Sequence, residues 1–463
     1  MFDSIHEKCG VFGIFNHNGN NEVDVAREVY TALYALQHRG QQSAGIAVNF
    51  EGKITLHKDL GLVNEVFNEM ILNALKGNIA CGHVCYNTSA SSDRDNSQPF
   101  MAKHTKGQIA LGINGNLVNS NELRDELSEK GAMFLTNSDS EVLAYIIGRE
   151  RLKTDSTEQA ILNVMDKLRG AYSIVIVTMN KLIAVRDPNG FRPLCMGKLG
   201  DSTIIASESC AIDAVGGKFE RDIEPGEIVV VEKNNIRSLT DKCKSKTSAC
   251  IFEHIYFARP DSVLDGQSVH FARCEAGKQL ALSHPVEADM VVGIPDSGLD
   301  AALGYAEQSG IPYGIGIIKN RYIGRTFIQS TQIERERQVK LKLNPLASAI
   351  SGKRIVLVED SIVRGTTTAY LISMMREAGA KEVHMRIASP PFISPCYFGT
   401  DIDSRDKLMA YRLTVDEIRE EIGVDSLGYL PIDALSKIVK DSKLEFCQGC
   451  FTSDYPIPID TAE

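Results

Sequence analysis

The chain has 463 residues, 43% hydrophobic and 24% charged, too long for one ordinary hydrophobic core and too well mixed for a disordered or repetitive protein; roughly two to four domains are expected, with two the simplest division. A net charge of -10 excludes a general affinity for phosphate polymers, so no nucleic-acid partner is expected and any anion site must be local. No apolar run approaches the roughly 18 residues of a membrane span, and the start MFDSIHEKCG lacks the apolar core of a secretory signal; no membrane partner and a cytoplasmic location are expected. Eleven cysteines in a reducing compartment are then buried small side chains, metal ligands or nucleophiles rather than disulfides.

The first half reads as short β-rich segments broken by glycine: CGVFGIF, QSAGIAVNF, QIALGINGNLVN, YSIVIVTMN, KLIAVRD and EIVVVEK. Amphipathic helices such as NELRDELSEKGA and DSEVLAYIIGRERL lie between them, which predicts packed sheets with helical layers outside. Residues 232–249, EKNNIRSLTDKCKSKTSA, are polar without periodicity and read as a linker or surface crossing. The second half changes rhythm. ADMVVGIPDSGLDAALGYAEQSG and GKRIVLVEDSIVRGTTTAYLISMMREAGA each run from an apolar strand through a polar, glycine-containing loop into a helix, the βαβ pattern of a parallel sheet. Ligands of such sheets gather beyond the carboxyl ends of the strands.

Within the second of these segments, Glu359 and Asp360 follow an apolar strand and lead through Ser361, Arg364, Gly365, Thr366 and Thr367 into a helix. Amides at that helix start, with glycine and small hydroxyls, suit a phosphate monoester, and the two acids suit vicinal sugar hydroxyls. A strand-to-helix turn with an acidic cap is the plainer reading of the loop alone. No GxxxxGK[ST] is present, which disfavours a nucleoside triphosphatase. The full string VLVEDSIVRGTTT resembles the phosphoribosyl pyrophosphate (PRPP) fingerprint of type I phosphoribosyltransferases, with Glu359 where an Asp is usual. By that resemblance, Asp296, Ser297 and Gly298 of GIPDSG form the pyrophosphate loop, and Mg²⁺ sits at Ser297, Glu359 and Asp360.

Between the two loops, residues 319–343 hold seven Lys or Arg against two Glu, an excess that a solvated helix face explains only for its later part. KNRYIGRTF, an aromatic and three cations around a glycine, has the composition of a lid over a diphosphate. Lys319, Tyr322 and Arg325 match the lid of glutamine PRPP amidotransferases, and Gln332, Arg335, Val339 and Lys342 continue the pattern.

A cysteine near a chain start, as Cys9 is, is ordinarily a core residue. LYALQHRGQQSAGIAV, GHVCYNT, INGNLVNS and NSDSEVLAYII, however, resemble class II glutamine amidotransferases in order and spacing. The resemblance implies an N-terminal four-layer αββα nucleophile-hydrolase sandwich joined to a parallel-sheet phosphoribosyltransferase domain, an α/β and α+β two-domain chain. It implies residues 1–8 as a propeptide, 9–238 as the glutaminase domain and 239–463 as the transferase domain with a cluster-binding segment. Cys9 becomes a nucleophile whose own α-amino group is the base. Asn114 and the amide of Gly115 form the oxyanion hole, though Asn-Gly alone reads equally as a hairpin turn. Asp139 binds the glutamine α-ammonium, Arg39 supports the nucleophile and the glutamine pocket, and His83 is a structural hydrogen-bonding residue beside them.

The same family carries arginine two residues after that histidine, where it grips the glutamine carboxylate; this chain has Cys85. Losing such a charge-assisted pair costs about 2 to 5 kcal/mol of binding. Arg94 is the candidate replacement. Ile113 also stands where relatives often have histidine.

CQGCF supplies Cys447 and Cys450, with Cys250 and Cys396 alone in their segments. By spacing, the CxxC is a zinc site, a redox pair or neither. The flanking strings resemble the amidotransferases that hold a structural [4Fe-4S] cluster on four cysteines. The whole resemblance implies glutamine-dependent conversion of PRPP to 5-phosphoribosylamine, ammonia passing internally from one site to the other, inhibition by purine nucleotides, and a homotetramer or homodimer. A transferase dependent on free ammonia and a non-enzymatic PRPP or nucleotide sensor are the competing functions.

Overall fold

The structure, a computed structural model, describes residues 9–18, 23–86, 94–322, 340–400, 402 and 404–459. The expected propeptide 1–8, the loop between Tyr86 and Arg94, and Arg325, Gln332, Arg335 and Val339 lie outside the described residues.

The β-rich first half folds into two antiparallel sheets. One has seven strands in the order Lys218–Asp222, Cys195–Leu199, Ser202–Ala206, Cys9–Phe15, Ile79–Cys85, Ser43–Phe50, Lys53–Leu60; the other has six, Asn235–Leu239, Ile228–Glu232, Leu182–Arg186, Gly170–Val177, Gly107–Leu117, Phe100–His104. The period-two alternation of a strand assigns each face. Along Cys9–Phe15, Val11 and Phe15 enter the core between the sheets with Val175, Leu182 and Ile205, whereas Phe12 and Ile14 join the core beneath the helix Val25–Ala35. Gly13 is small because a Cβ there would lie 2.7 Å from Val175. On the other flank, helices Asp139–Arg151 and Thr157–Met165 cover Ile113, Ile174, Ile176 and Val185. The result is helix, sheet, sheet, helix, four layers as expected.

The segment 232–249 differs from the expected linker. Asn235–Leu239 pairs with Ile228–Glu232, with Glu232 opposite Asn235, so Lys233 and Asn234 make a two-residue hairpin turn. The strand is an edge whose side chains face solvent, as for Asn235 and Ile236, and its polar sequence therefore shows no buried alternation.

In the second half, the strands Met290–Gly293, Arg354–Glu359, Glu382–Ile387 and Ser426–Tyr429 form a parallel sheet in that order. Helices Val269–Ser283 and Leu299–Ser309 pack on one face, around Tyr305, Val291, Val356 and Val358. Thr366–Glu377 and Val415–Ile422 cover the other, around Ile355, Leu357, Met375 and Ile418. No described helix is long and apolar enough to cross a membrane.

Candidate functional sites

The alternation that builds the sandwich also gathers the first site. Cys9 opens its strand directly opposite Cys85 on the neighbouring strand, and their Sγ atoms are 3.5 Å apart. His83, two residues earlier on the same face, is fully buried; its Nε2 meets the Ile113 carbonyl at 2.9 Å, and its Nδ1 has no partner. Burial pushes the imidazole down to about 4, against the pull of the Ile113 carbonyl. Neutral imidazole therefore donates from Nε2 and leaves a bare lone pair on Nδ1. Donor atoms of Cys9, His83 and Cys85 lie within 4.8 Å of one another.

Asn114 enters from the facing sheet, 1% exposed, with both amide atoms unpartnered. Gly115 has φ +140°, and a Cβ there would collide with the Ala171 carbonyl; only glycine holds this backbone without strain. Asp139 starts its helix and accepts from the Leu117 amide at 2.9 Å, which ties it to the same strand end.

Two cationic expectations look different in three dimensions. Arg39 packs under Gly10, but its guanidinium is buried between Glu208 and Glu253, with Nη2 2.7 Å from Glu253 Oε2. It supports the floor of the site through those acids. Arg94 is 3.6 Å from Asp59 and donates to the Lys58 carbonyl at 3.3 Å, so it already has an acidic neighbour.

The second site lies at the carboxyl edge of the parallel sheet. Gly293 stands opposite Val358, so the loops that follow emerge side by side. The Ser297 hydroxyl donates to Glu359 Oε1 at 3.2 Å, and Asp360 receives the Ser361 hydroxyl. Burial and the adjacent Asp360 hold the Glu359 carboxyl well above its usual range. Gly298 fits because a Cβ would strike the Val358 carbonyl. Gly365 adopts φ +79° immediately ahead of Thr366 and Thr367, which open the first turn of their helix. Lys319 forms an ion pair with Asp296, and Tyr322 is 99% exposed.

The four cysteines also converge. Cys250 and Cys447 are register partners in a short parallel pair. Cys396 and Cys450 pack nearby against the cores that hold Phe252, Phe392 and Phe398. The Phe398 amide donates to Cys396 Sγ at 3.4 Å. Burial pushes the thiols of Cys250, Cys447 and Cys450 up, Cys447 to about 12, and each is raised further by a neighbouring cysteine of the set. Among the described residues these four do not make a three-donor group within 4.8 Å, unlike Cys9, His83 and Cys85.

Sequence reasoning missed the buried ionic bridge between the two halves. Arg192 donates to Glu253 Oε1 at 2.9 Å and to the Phe398 carbonyl, while Glu253 also holds Arg39. Burial pushes Glu208 up, but Arg39 and His38 outweigh it and hold it well below the carboxylate range. Loop residue Gly399 lies against Gly115, where an added Cβ would be 3.2 Å from the Gly115 backbone. The sequence carried a weak signal, charged residues inside otherwise apolar stretches such as CIFEHIYF, without naming their partners.

Family models for a glutamine amidotransferase domain and a phosphoribosyl transferase domain match residues 87–214 and 262–388. The chain is 46% identical to an amidophosphoribosyltransferase of Methanothermobacter thermautotrophicus, over 98% of this chain and 96% of that protein. It belongs to the amidophosphoribosyltransferase family. The corresponding enzyme of Bacillus subtilis is 45% identical over 98% of this chain and 95% of its own. Among solved structures, an allosteric regulatory enzyme of purine biosynthesis superposes with a TM-score of 0.91 at 44% identity, covering 98% of this chain and 97% of that one. A B. subtilis glutamine PRPP amidotransferase complexed with ADP and GMP gives 0.90 at 44% identity, covering 98% of each chain. This family member is thus an enzyme, a glutamine amidotransferase fused to a phosphoribosyltransferase, and its reaction is the glutamine-dependent amidation of PRPP in purine biosynthesis.

Proposed function

We propose that residues 9–238 hydrolyse glutamine at Cys9 and residues 239–463 transfer the ammonia to PRPP, after removal of residues 1–8. The observation that carries the glutaminase half is Asn114, a buried amide with both polar atoms unmet on the sheet that faces the one carrying Cys9. The freed α-amino group of Cys9 takes the thiol proton, and the thiolate attacks the glutamine carboxamide. Asn114 Nδ2 and the Gly115 amide receive the oxyanion. Collapse releases ammonia, water cleaves the thioester to glutamate, and Asp139 holds the substrate ammonium. His83 and Arg39 act by positioning.

At the transferase site, Glu359 and Asp360 bind the ribose hydroxyls. The amides of residues 361–367 and the Arg364 side chain cradle the 5-phosphate, and Asp296, Ser297 and Gly298 face the diphosphate. Ser297, Glu359 and Asp360 would hold Mg²⁺, which would supply charge neutralisation for the pyrophosphate group. Lys319, Tyr322 and Arg325 close over it, and ammonia attacks C1 with inversion to give 5-phosphoribosylamine.

Cys250, Cys396, Cys447 and Cys450 fit a [4Fe-4S] cluster better than zinc. A single zinc ion with Zn–S bonds of about 2.3 Å draws four sulfurs to roughly 3.8 Å of one another, closer than this set lies; a cluster spans a wider cavity with its own iron and sulfide. Cys250, Cys396, Cys447 and Cys450 would hold it where the C-terminal segment pairs with Ala249–Cys250, and its role there would be structural. A cytoplasmic homotetramer or homodimer inhibited by purine nucleotides completes the reading; the relative complexed with ADP and GMP supports the nucleotide-binding part alone.

Cys85 favours a second reading, in which glutamine binds weakly and free ammonia is the better donor. Pyrophosphate-linked phosphoribosylamine formation, measured with glutamine and with ammonium on anaerobically purified protein, separates the two. Comparable rates at low millimolar glutamine uphold the full reaction; activity with ammonium alone selects the second reading; no turnover with either overturns both.

A further inference from the structure

Cys85 does more than leave a glutamine pocket without its cation. It places a second thiol 3.5 Å from Cys9, on a strand pair whose register holds the two side by side, with a ring nitrogen of His83 inside the same 4.8 Å group. We propose that Cys9, His83 and Cys85 form a binding site for a thiophilic divalent cation of the zinc class, which captures the nucleophile and switches off glutamine hydrolysis.

Three observations support the assignment independently of the nucleophile's role. The sulfur separation of 3.5 Å is close to the roughly 3.8 Å that two thiolates adopt around tetrahedral zinc with bonds of about 2.3 Å. His83 is fully buried and unpartnered at Nδ1 while its Nε2–H is held by the Ile113 carbonyl. That is the arrangement in which a metal-ligating histidine is usually found, one nitrogen oriented by a backbone carbonyl and the other presenting its lone pair. The charge also balances: two thiolates and a neutral imidazole cancel a divalent cation, so the buried site takes no net charge. Binding displaces one proton from each cysteine thiol, and water fills the fourth position. With Arg in place of Cys85 the site would have one thiol fewer and a cation in its midst, so the property belongs to this chain's departure from the family pattern.

The inhibitory part rests on the reading of Cys9 as nucleophile, whereas the binding part does not. The test compares the cluster-loaded, processed enzyme with its Cys85→Ala variant. Each is given one equivalent of Zn²⁺, followed by native mass spectrometry, iodoacetamide footprinting of Cys9, and both amidation assays. The expected result is one more zinc per chain in the parent than in Cys85→Ala, with Cys9 alkylation slowed at least tenfold by zinc in the parent alone. Glutamine-dependent activity of the parent should fall at least tenfold and return with a chelator, while ammonium-dependent activity, which also reports that both proteins are folded, stays unchanged. Equal zinc content in the two proteins, zinc protection of Cys9 in Cys85→Ala, or a parent that loses two mass units as a Cys9–Cys85 disulfide in place of binding zinc would each overturn the proposal. Zinc-dependent protection in a parent that has no glutamine-dependent activity even without metal would uphold the metal site and overturn its inhibitory part, since there would be no glutamine hydrolysis to switch off.

Discussion

Asn114 is buried with its amide oxygen and nitrogen both unpartnered, and leaving such groups unmet costs about 1–3 kcal/mol each unless a ligand answers them. Asn114→Ala is therefore expected to be no less stable than the parent, yet to lose glutamine-dependent turnover by about 10²–10³, with ammonium-dependent turnover intact. Paired steady-state assays check it; equal loss with both donors would remove Asn114 from the oxyanion hole. At Cys85 the reverse is expected. Cys85→Arg restores a carboxylate partner and should lower KM for glutamine by at least tenfold with little change in kcat, since about 1.4 kcal/mol of added binding is a factor of ten. An unchanged KM would mean that another group already grips the substrate carboxylate. Both residues were singled out from neighbouring letters, INGN and GHVCY. The proximity of Cys85 to Cys9 was not legible, because 76 residues separate them and only the strand register brings them opposite each other.

At the scale of elements, the parallel sheet turns two loops into one site because two neighbouring strands, the edge strand Met290–Gly293 and Arg354–Glu359 beside it, end nearly in step, Gly293 beside Val358. The Glu359 carboxyl, raised by burial and by Asp360, keeps its proton to higher pH than a free glutamate. A cation binds the ionised form, so Mg²⁺-dependent PRPP affinity is expected to strengthen as pH rises through the titration of Glu359 and then level off. Glu359→Gln should flatten that dependence, and equilibrium binding of PRPP between pH 5 and 9 at fixed Mg²⁺ reads it; a flat profile in the parent would deny Glu359 a place at the cation. These loops were legible almost residue by residue, since a strand, an acid pair and a glycine-started helix are local in sequence. The edge strand Asn235–Leu239 was not, because its side chains face solvent and its pairing comes from the hairpin partner.

For the molecule as a whole, the two halves are joined by charges shared inside the protein. Glu253 holds Arg39 of the first sheet's floor and Arg192, which in turn holds the Phe398 carbonyl. Removing the acid leaves two buried guanidinium groups short of a partner; Glu253→Gln is expected to destabilise the chain by about 3–5 kcal/mol and to lower glutamine-dependent activity more than ammonium-dependent activity. Denaturant unfolding with the two assays tests both parts. Next to it, burial depresses His254 from 6.5 to about 4. The unfolded chain takes up that proton below its ordinary value while the folded chain resists it, so stability falls as pH drops from about 6.5 to about 4, by on the order of 3 kcal/mol from this residue. Unfolding free energies across that window should be less steep in His254→Gln; an identical slope would exclude the residue as a source of acid sensitivity.

Most strand and helix identities, the acid pair at 359 and 360, the Asn-Gly pair at 114 and 115 and the four outlying cysteines were determined by the sequence alone, because each depends on side-chain pattern or on chemistry carried by adjacent residues; that Asn114 and Gly115 lie within the strand Gly107–Leu117 and not in a hairpin turn was decided by its pairing with Gly170–Val177. The tertiary structure alone decided which of these meet. Antiparallel register set Cys85 against Cys9, packing of the second half laid Gly399 on Gly115, and burial committed Arg39 to Glu208 and Glu253 rather than to an open pocket. Those outcomes depend on contacts between residues far apart in the chain, where the direction of a side chain and the partner it finds follow from how whole layers pack.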